Sequence, residues 1–277
     1  MTARSPDRQV PKPVLRVVDA VVMIVGIVVG AGIFRTPSLV AANTGSVELF
    51  LATWLLGGLI SIVGALCYAE LSSAFPHTGG DYHFLQRAFG RRFAFLFAWA
   101  RMSVIQTGSI ALLSYIVGDY LSQVLPAGPY GPALYAALVV VWLTIVNVLG
   151  VRFGTGTQKY LMAIQFAGLL LVVGAGLLLP PSLPAIPPVA DGGPATGGAF
   201  GMAMVMVLLT FGGWNEAGYV SAELRQGPRK MVHVLVISIL IITAIYLLIN
   251  WALVHALGVE RMAGSQAVGI DLMRATL

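Results

Sequence analysis

Long runs of apolar residues, separated by short polar segments, dominate the chain. A helix that crosses the hydrocarbon core of a membrane needs about 20 apolar residues. Seven stretches reach that length, at residues 17–42, 47–73, 93–124, 132–150, 158–180, 199–222 and 231–257. Each stretch is continuously apolar rather than alternating, which favours helices over the strands of a membrane barrel. The pattern therefore predicts an all-α polytopic membrane protein surrounded by a lipid bilayer.

The composition supports this prediction, because 58% of the residues are hydrophobic and only 10% are charged. Typical soluble domains have about 25% charged residues, and a chain with so little charge could not cover a water-exposed surface. The same figures exclude intrinsic disorder and nucleic-acid binding. Cys67 is the single cysteine, so an intramolecular disulfide is impossible, and the four histidines lack metal-ligand spacing. We expect neither a cofactor nor a metal.

Lys and Arg residues concentrate in every second segment between the apolar stretches. Cytoplasmic segments of membrane proteins carry an excess of these residues, so the pattern places the N-terminus in the cytoplasm. The segments assigned to that side hold twelve of the sixteen basic residues, namely Arg4, Arg8, Lys12, Arg16, Arg87, Arg91, Arg92, Arg152, Lys159, Arg225, Arg229 and Lys230. The opposite segments, near Thr44, near Pro126 and at 181–198, hold none.

Two of the connecting segments have a recognisable character. The stretch 181–198 is rich in Pro and Gly, which predicts an external loop between the fifth and sixth spans. In the internal loop 76–92, Tyr82, Leu85 and Phe89 are spaced for one face of a helix. We therefore predict a short amphipathic helix in this loop.

The first apolar stretch contains glycines that are unfavourable in a helix interior. Gly26, Gly30 and Gly32 occur in the sequence GIVVGAGIFRTP, and each glycine costs about 1 kcal/mol relative to alanine inside a helix. We expect the helix to be interrupted between the last two glycines. Thr36 and Pro37 would then cap and start a new helix. The alternative explanation is close helix packing through the small residues of Gly26-x-x-x-Gly30.

The sixth stretch repeats this feature with polar groups added. Residues Thr210–Glu216 place two glycines, an amide and a carboxyl in the middle of an apolar run. A carboxyl at that depth costs about 2.5–3.5 kcal/mol, so Glu216 should face an internal cavity. Two interrupted spans are typical of secondary transporters, whose binding site lies at the membrane midplane. Because the freed N–H groups and carbonyls can bind a carboxylate and an ammonium, an amino acid fits such a site best.

Three motifs along the chain carry a family resemblance. They are GAGIF at Gly30–Phe34, YAELSSAFPHTGGDY at Tyr68–Tyr82, and FGGWNEAGYVSAEL at Phe211–Leu224 followed by Pro228-Arg229-Lys230. In this order they resemble the signatures of the amino acid–polyamine–organocation superfamily of permeases, and within it the L-type amino acid transporter-like bacterial members. The three motifs span nearly the whole chain.

In that superfamily the fold is a bundle of usually twelve spans, in which helices one to five and six to ten form inverted repeats. The resemblance implies that residues 17–180 form the first five-helix repeat, and that residues 199–277 begin the second repeat with helices six and seven. Residues 1–16 would be a cytoplasmic tail. The chain would then hold seven of the twelve spans, since it becomes polar beyond Leu257 and no eighth span follows.

The resemblance also implies a substrate site at the two interrupted spans. The N–H groups of Gly30–Gly32 would bind the α-carboxylate, and the carbonyl of Val28 with those of Thr210–Gly213 would receive the α-ammonium. Small and apolar residues near the side-chain pocket imply a neutral substrate. Leu209 falls where many relatives place an aromatic gate, so gating by that residue is not implied here. The implied substrate-binding residues are Val28, Gly30, Ala31, Gly32, Ile33, Leu209, Thr210, Phe211, Gly212, Gly213, Trp214 and Asn215.

Two residues are candidates for ion coupling. Several relatives place a lysine in the fifth span, and the corresponding position here is Gln165, which cannot titrate. Glu216 is then the candidate for proton coupling, and a structural carboxyl hydrogen-bonded between helices is the alternative. Glu70 and Arg101 both fall near the inner membrane boundary. We predict that they form an ion pair, because an unpaired charge there would be costly.

These features predict a secondary active transporter in the inner membrane of a bacterium. It would carry neutral L-amino acids by alternating access, as a proton symporter or an exchanger, and it would not be an enzyme. A truncated, non-transporting fragment of such a permease is an alternative. A seven-span receptor would need unbroken first and sixth helices, and an intramembrane hydrolase would rely on Ser109 and a distant His255 that lack a supporting acid. Assembly into an oligomer is left open, without a sequence feature that supports it.

Overall fold

The structure is a computed structural model that describes residues 15–178, 197–221, 224–225 and 227–276. Within these residues, six helices are long and apolar enough to cross a membrane, and a shorter apolar helix precedes them. The helices are, in chain order, α1 (Val17–Val28), α2 (Thr36–Thr44), α3 (Val47–Ala74), α4 (Gly80–Phe89), α5 (Arg91–Val124), α6 (Gly131–Val148), α7 (Val151–Leu178), α8 (Gly197–Phe211), α9 (Ala217–Val220), α10 (Met231–Gly264) and α11 (Val268–Thr276). The predicted tail and external loop lie outside the described residues, apart from their last two positions.

The prediction of an all-α polytopic membrane fold is confirmed. The seven predicted apolar stretches coincide with helices, and the first and sixth are interrupted, since α1 and α2 share the first and α8 and α9 share the sixth. A receptor with unbroken first and sixth helices is therefore not supported. α5 also contains a π-helical turn at Arg101–Ile105, a local distortion that frequently accompanies functional sites.

The helix α10 lies at the centre of the bundle, packed against α1, α2, α3 and α7. Two adjacent glycines let α3 approach its neighbours closely. A Cβ atom on Gly57 would meet Val207 of α8 at 2.3 Å, and one on Gly58 would meet Thr243 of α10 at 2.4 Å. These contacts hold the first half of the interrupted sixth span against the core.

Aromatic rings fill the core next to the interrupted spans. The side chains of Trp54, Phe211 and Tyr246 are fully buried. Ring centroids are 5.0 Å apart for Phe211 and Tyr246, and 5.5 Å apart for Trp54 and Tyr246. Such aromatic pairs contribute about 0.5–1.5 kcal/mol each beyond their burial. The cluster therefore fixes the end of α8 against the middle of α10.

The polar end of the chain forms a helix that the sequence pattern does not predict. α10 is kinked at Gly258, whose φ of +75° suits glycine, and α11 then packs back onto α7 and α10. Within the described residues, the helix beyond the kink has nine residues. This segment covers the start of α2, because Ser38 Oγ donates to the Ser265 carbonyl at 2.6 Å and Arg35 donates to the Ser265 and Gln266 carbonyls at 3.2 and 3.0 Å.

Apolar side chains cover the outside of the bundle, as expected for helices that contact lipid. Val63 and Leu170, for example, are 64% and 73% exposed. The helix α5 differs from the others, because no residue in its most apolar stretch is buried. The side chains of Gln106, Thr107 and Ser109 are exposed on it among apolar ones. The third span therefore presents polar groups on an uncovered surface.

The predicted amphipathic helix in the loop 76–92 is confirmed as α4. Tyr82 and Leu85 are half-buried, but Phe89 is 67% exposed. The prediction of one apolar face is therefore wrong at Phe89. The reason is that α4 ends there, and the Phe89 ring packs on Phe93 of α5, at 5.0 Å between centroids, instead of on the bundle.

Two histidines stack beside the first turn of α4. The rings of His77 and His83 are nearly parallel, with their centroids 4.1 Å apart. Burial lowers the pKa of His83, and the neighbouring His77 and Arg87 lower it further. Protonation of His83 is therefore less favourable in this fold than in an extended chain.

Candidate functional site

The first break lies between Val28 and Ala31. α1 ends at Val28, Val29 has φ −74° and ψ 81°, and Gly30 is extended before a 3₁₀ turn begins at Ala31. The Val28 carbonyl accepts a hydrogen bond from the Gly30 N–H at 2.8 Å, so it leaves the helical ladder. The N–H groups of Ala31 and Gly32 open the 3₁₀ turn and have no partner inside it, as at any helix start. The break presents donors and acceptors of the predicted kinds.

The second break follows α8, which ends at Phe211. The Gly212 N–H donates to the Leu209 carbonyl at 3.1 Å. Gly213 has φ +111°, a conformation that glycine adopts without strain and other residues do not. A 3₁₀ turn at Trp214–Glu216 then leads into α9. The predicted interruption is confirmed, and Gly213 is the point at which the chain direction changes.

The two breaks lie against each other. A Cβ atom on Gly213 would lie 3.5 Å from Val28, and one on Gly32 would lie 3.6 Å from Thr210. The hydroxyl oxygens of Thr36 and Thr210 are 2.6 Å apart, so they form a hydrogen bond between the two interrupted spans. The prediction that Thr36 caps α2 is wrong, because Thr36 is the first residue of that helix and its hydroxyl bonds across to the sixth span.

A tyrosine from α10 joins the two breaks. The Tyr246 hydroxyl lies 2.9 Å from the Val28 carbonyl oxygen and 3.0 Å from the Thr210 carbonyl oxygen. A phenol has one proton to donate, so it can serve only one of these two buried carbonyls at a time. Since the Val28 carbonyl also accepts from the Gly30 N–H, it is the Thr210 carbonyl that is left for a second donor when the phenol serves Val28. The ammonium group of an amino acid has the chemistry for that place.

Gln165 of α7 reaches the first break from the other side. Its side-chain amide donates a hydrogen bond to the Val29 carbonyl. With Gly26, Asn147 and Gln158, it lines a cavity of about 470 Å³ between α1, α6 and α7. Gln165, the coupling candidate of the fifth span, therefore contacts the interrupted helix as a neutral donor.

Asn215 and Glu216 belong to a separate polar cluster beyond the second break. The Asn215 amide donates to Asp81 at 3.3 Å, and Arg101 pairs with both Asp81 and Glu216. The predicted Glu70–Arg101 pair is wrong, because the loop before α4 brings Asp81 to Arg101 while Glu70 lies exposed on α3. Glu216 is thus a carboxyl hydrogen-bonded between helices, which was the structural alternative. Its role in proton coupling stays a prediction.

The side chains predicted near the substrate pocket lie in different surroundings. Leu209 is 67% exposed, whereas Ile33 and Phe211 are buried in the core. Trp214 packs edge-on against the Tyr68 ring of α3, with centroids 5.2 Å apart. Contact between these four side chains of the predicted site and a substrate stays a prediction. The parts that the structure does bring together are the backbone groups of both breaks and the Thr210 side chain.

Two residues of these polar clusters, Tyr246 and Asp81, were not predicted from the sequence. A signal for Tyr246 exists, because tyrosine usually favours the membrane interface and this one lies in the middle of the run IITAIYLLIN. A hydroxyl at that depth needs a hydrogen-bond partner. Asp81 follows two glycines in the loop after the second span, but its partners are distant in sequence and no local pattern indicates them.

Two interrupted helices that meet in the middle of a bundle of membrane spans are an arrangement typical of membrane transporters. The model of the amino acid permease family matches residues 15–275 of the chain. The chain belongs to this family. The family resemblance carried by its three motifs is therefore confirmed.

Several curated relatives show the same similarity. Mouse b(0,+)-type amino acid transporter 1 is 32% identical over 258 residues, covering 91% of this chain and 53% of the relative. Human large neutral amino acids transporter small subunit 2 is 32% identical over 279 residues, covering 94% and 50%. Human Asc-type amino acid transporter 1 is 30% identical over 285 residues, covering 95% and 52%. The chain thus spans about half the length of the curated relatives that it matches.

Proposed function

We propose that this chain carries the substrate site of a secondary transporter that moves neutral L-amino acids across the cytoplasmic membrane of a bacterium, with its N-terminus in the cytoplasm. The observation that carries the proposal is the Tyr246 hydroxyl between the Val28 and Thr210 carbonyls. The two acceptors compete for one phenol proton, and the Val28 carbonyl has a second donor in the Gly30 N–H, so an incoming ammonium would complete the hydrogen bonding at the Thr210 carbonyl. The N–H groups of Ala31 and Gly32 would bind the carboxylate, and no residue has a catalytic role.

The neutral character of the substrate is supported by the groups that surround the breaks. Backbone amides, the hydroxyls of Thr36 and Thr210, and the phenol of Tyr246 are all uncharged. A charged substrate side chain would need a partner of opposite charge when it leaves water. One similar protein is named as a transporter of large neutral amino acids, which supports the same class of substrate for this chain.

Exchange is the favoured mode of coupling in this proposal. Gln165 cannot carry a proton to the first break, and Glu216 is already engaged by Arg101. A proton-coupled cycle would have to release Glu216 from that pair in each turn. Exchange of one amino acid for another needs only alternating access of the site to the two faces of the membrane.

The first test is amino acid binding by the complete chain in lipid nanodiscs. We expect radiolabelled leucine to bind, and unlabelled alanine or phenylalanine to compete far better than arginine or glutamate. Gly213→Ala should abolish binding, because alanine is strained at a φ of +111°. Gly108→Ala is the matched control, since its Cβ atom would meet nothing within 4 Å. Equal competition by all four amino acids would reject the neutral site.

The second candidate function is binding without transport. It is favoured by the exposed polar groups of α5, because a span with Gln106, Thr107 and Ser109 on an uncovered surface is poorly suited to seal a transport path. Leucine counterflow in proteoliposomes separates the two functions. Binding together with counterflow supports transport by this chain, whereas binding without counterflow supports the second candidate.

A further inference from the structure

A buried carboxylate joins several parts of the bundle on the face where the chain enters α1, here called the N-terminal face. Asp81, at the start of α4, is only 5% exposed. Its carboxylate accepts hydrogen bonds from the Tyr68 hydroxyl at 2.9 Å, from Arg101 at 3.2 Å and from the Asn215 amide at 3.3 Å. These donors lie on α3, on α5 and in the turn before α9. One carboxylate therefore connects four elements.

Arg101 extends these connections to Glu216. Its guanidinium group pairs with both carboxylates, and its Cζ atom lies 5.2 Å from the centroid of the Tyr219 ring. Arg101 is also the first residue of the π-helical turn in α5. Together with Tyr68 and Asn215, the residues Asp81, Arg101 and Glu216 form what we call the Asp81 cluster.

Two glycines bring α4 and α9 into close contact beside this cluster. Gly80 has φ +46°, and a Cβ atom there would meet the Tyr219 ring at 2.7 Å. A Cβ atom on Gly218 would meet Phe84 of α4 at 3.5 Å. Because α9 has only four residues, it cannot be stable as an isolated helix. Its position therefore depends on its neighbours, which are α1, α3, α4 and the Asp81 cluster.

We propose that Asp81 is a positioning residue that keeps the part of the sixth span beyond Gly213 closed against the N-terminal face. It acts through Asn215 and Arg101, without touching the proposed substrate. While the cluster is intact, Ala217 of α9 is 1% exposed. When the cluster is lost, α9 turns about Gly213 and opens the space between the two breaks to the N-terminal face. The role of this opening in a transport cycle rests on the proposed function, but the closure itself does not.

The test measures the accessibility of position 217 in membranes containing the complete chain. The background carries Cys67→Ser and Ala217→Cys, so that N-ethylmaleimide has one target. We expect Asp81→Asn to raise the rate of alkylation about tenfold, which corresponds to about 1.4 kcal/mol. Glu70→Gln is the matched control, because Glu70 is an exposed acid of the neighbouring α3 and is not among the hydrogen-bond or ion-pair partners within the Asp81 cluster. An unchanged rate in Asp81→Asn, or an equal rise in Glu70→Gln, overturns the proposal.

A second variant keeps the test decisive if Asp81→Asn fails to reach the membrane. Glu216→Gln leaves Asp81 in place and removes only one of the two carboxylates that hold Arg101. It should raise the alkylation rate by a smaller factor, and no rise at all overturns the proposal. The leucine-binding experiment is independent of this measurement. Faster alkylation without any amino acid binding supports the closure and rejects the proposed function. Binding with unchanged alkylation supports the proposed function and rejects the closure.

Discussion

The halves of the two interrupted spans that lie beyond their breaks are held in different ways. α2 has six of its nine residues buried, and neutral and cationic donors fix its start to the backbone carbonyls of Ser265 and Gln266. α9 has four residues, packs closely on α4 and is linked to the rest of the bundle through Arg101 and two carboxylates. α2 is held in place by many small contacts, whereas the charged contacts that hold α9 are few. Loss of a single charged contact is therefore expected to release α9 of the sixth span, whereas α2 of the first span would stay in place.

The largest effect on this difference between α2 and α9 is expected from removal of Arg101, the cation that links α9 to the bundle. Arg101→Met leaves Asp81 and Glu216 as neighbouring carboxylates without a counter-charge. Breaking a buried ion pair on one side typically costs about 3–5 kcal/mol, and we expect the lower end, because the Arg101 side chain is 20% exposed. Thermal unfolding in detergent measures the loss. Arg92→Met, at an exposed position of the same helix, should leave the unfolding temperature unchanged, and an equal loss there would contradict the ion-pair explanation.

Removing the hydroxyl that joins the two breaks should have an intermediate effect. Tyr246→Phe keeps the buried ring but removes the donor that the Val28 and Thr210 carbonyls share. The Val28 carbonyl keeps its bond from the Gly30 N–H, so the loss falls on the Thr210 carbonyl. An unsatisfied buried group costs about 1–3 kcal/mol, so we expect a lower unfolding temperature. Added leucine should restore more of the lost stability in this variant than in the parent chain, because its ammonium would supply the donor. Tyr160→Phe, on the exposed surface of α7, is the control, and a shift of the same size there would reject this role for Tyr246.

A change at the start of α2 should matter less. Ser38→Ala removes one hydrogen bond to the Ser265 carbonyl, but Arg35 still donates to the same oxygen. A single hydrogen bond contributes about 1 kcal/mol net, and the buried face of α2 is unaffected. We expect a small decrease in the free energy of unfolding and no change in alkylation at position 217. A large rise in that alkylation would show that the two half-helices are not anchored independently.

The smallest expected effect comes from acidification. Because the pKa of His83 is lowered in the fold, the unfolded chain binds its proton more readily. The stability that results is present above the ordinary histidine pKa of about 6.5, and it is lost as the pH falls below that value. We expect a slightly lower unfolding temperature at pH of about 5.5 than at about 7.5. His83→Gln should reduce this difference, and an unchanged difference would exclude His83 as its source.

The helices and their breaks could be predicted because their causes are local. An apolar run of sufficient length forms a span wherever it occurs, and the two glycines after Phe211 interrupt a helix without help from distant residues. The amphipathic α4 was predicted for the same reason. These features follow from the order of neighbouring residues, so a single sequence is enough to predict them.

The partners of the polar residues could not be predicted, because they depend on how distant helices pack. Glu70 and Arg101 share the same predicted depth, yet Asp81, which the sequence places in a loop, takes the position beside Arg101. Tyr246 is 36 residues from Thr210 and 218 from Val28, and no local spacing relates them. The depth of a residue in the membrane can be estimated from hydropathy. To predict which residue it pairs with, the rotation of each helix about its axis must also be known.

One backbone hydrogen bond affects which substitutions the chain can tolerate. The Arg225 N–H donates to the Leu15 carbonyl at 2.9 Å, which ties the segment after α9 to the segment before α1. Neither side chain takes part, so almost any pair of residues at these positions preserves the joint, and proline at position 225 is the exception because it lacks the N–H. The segment that follows α9 is thus joined to the start of the first span by a main-chain hydrogen bond. The hydrogen bond itself is therefore insensitive to the side chain at position 225, whereas Leu15 also packs against the core and is constrained by that contact.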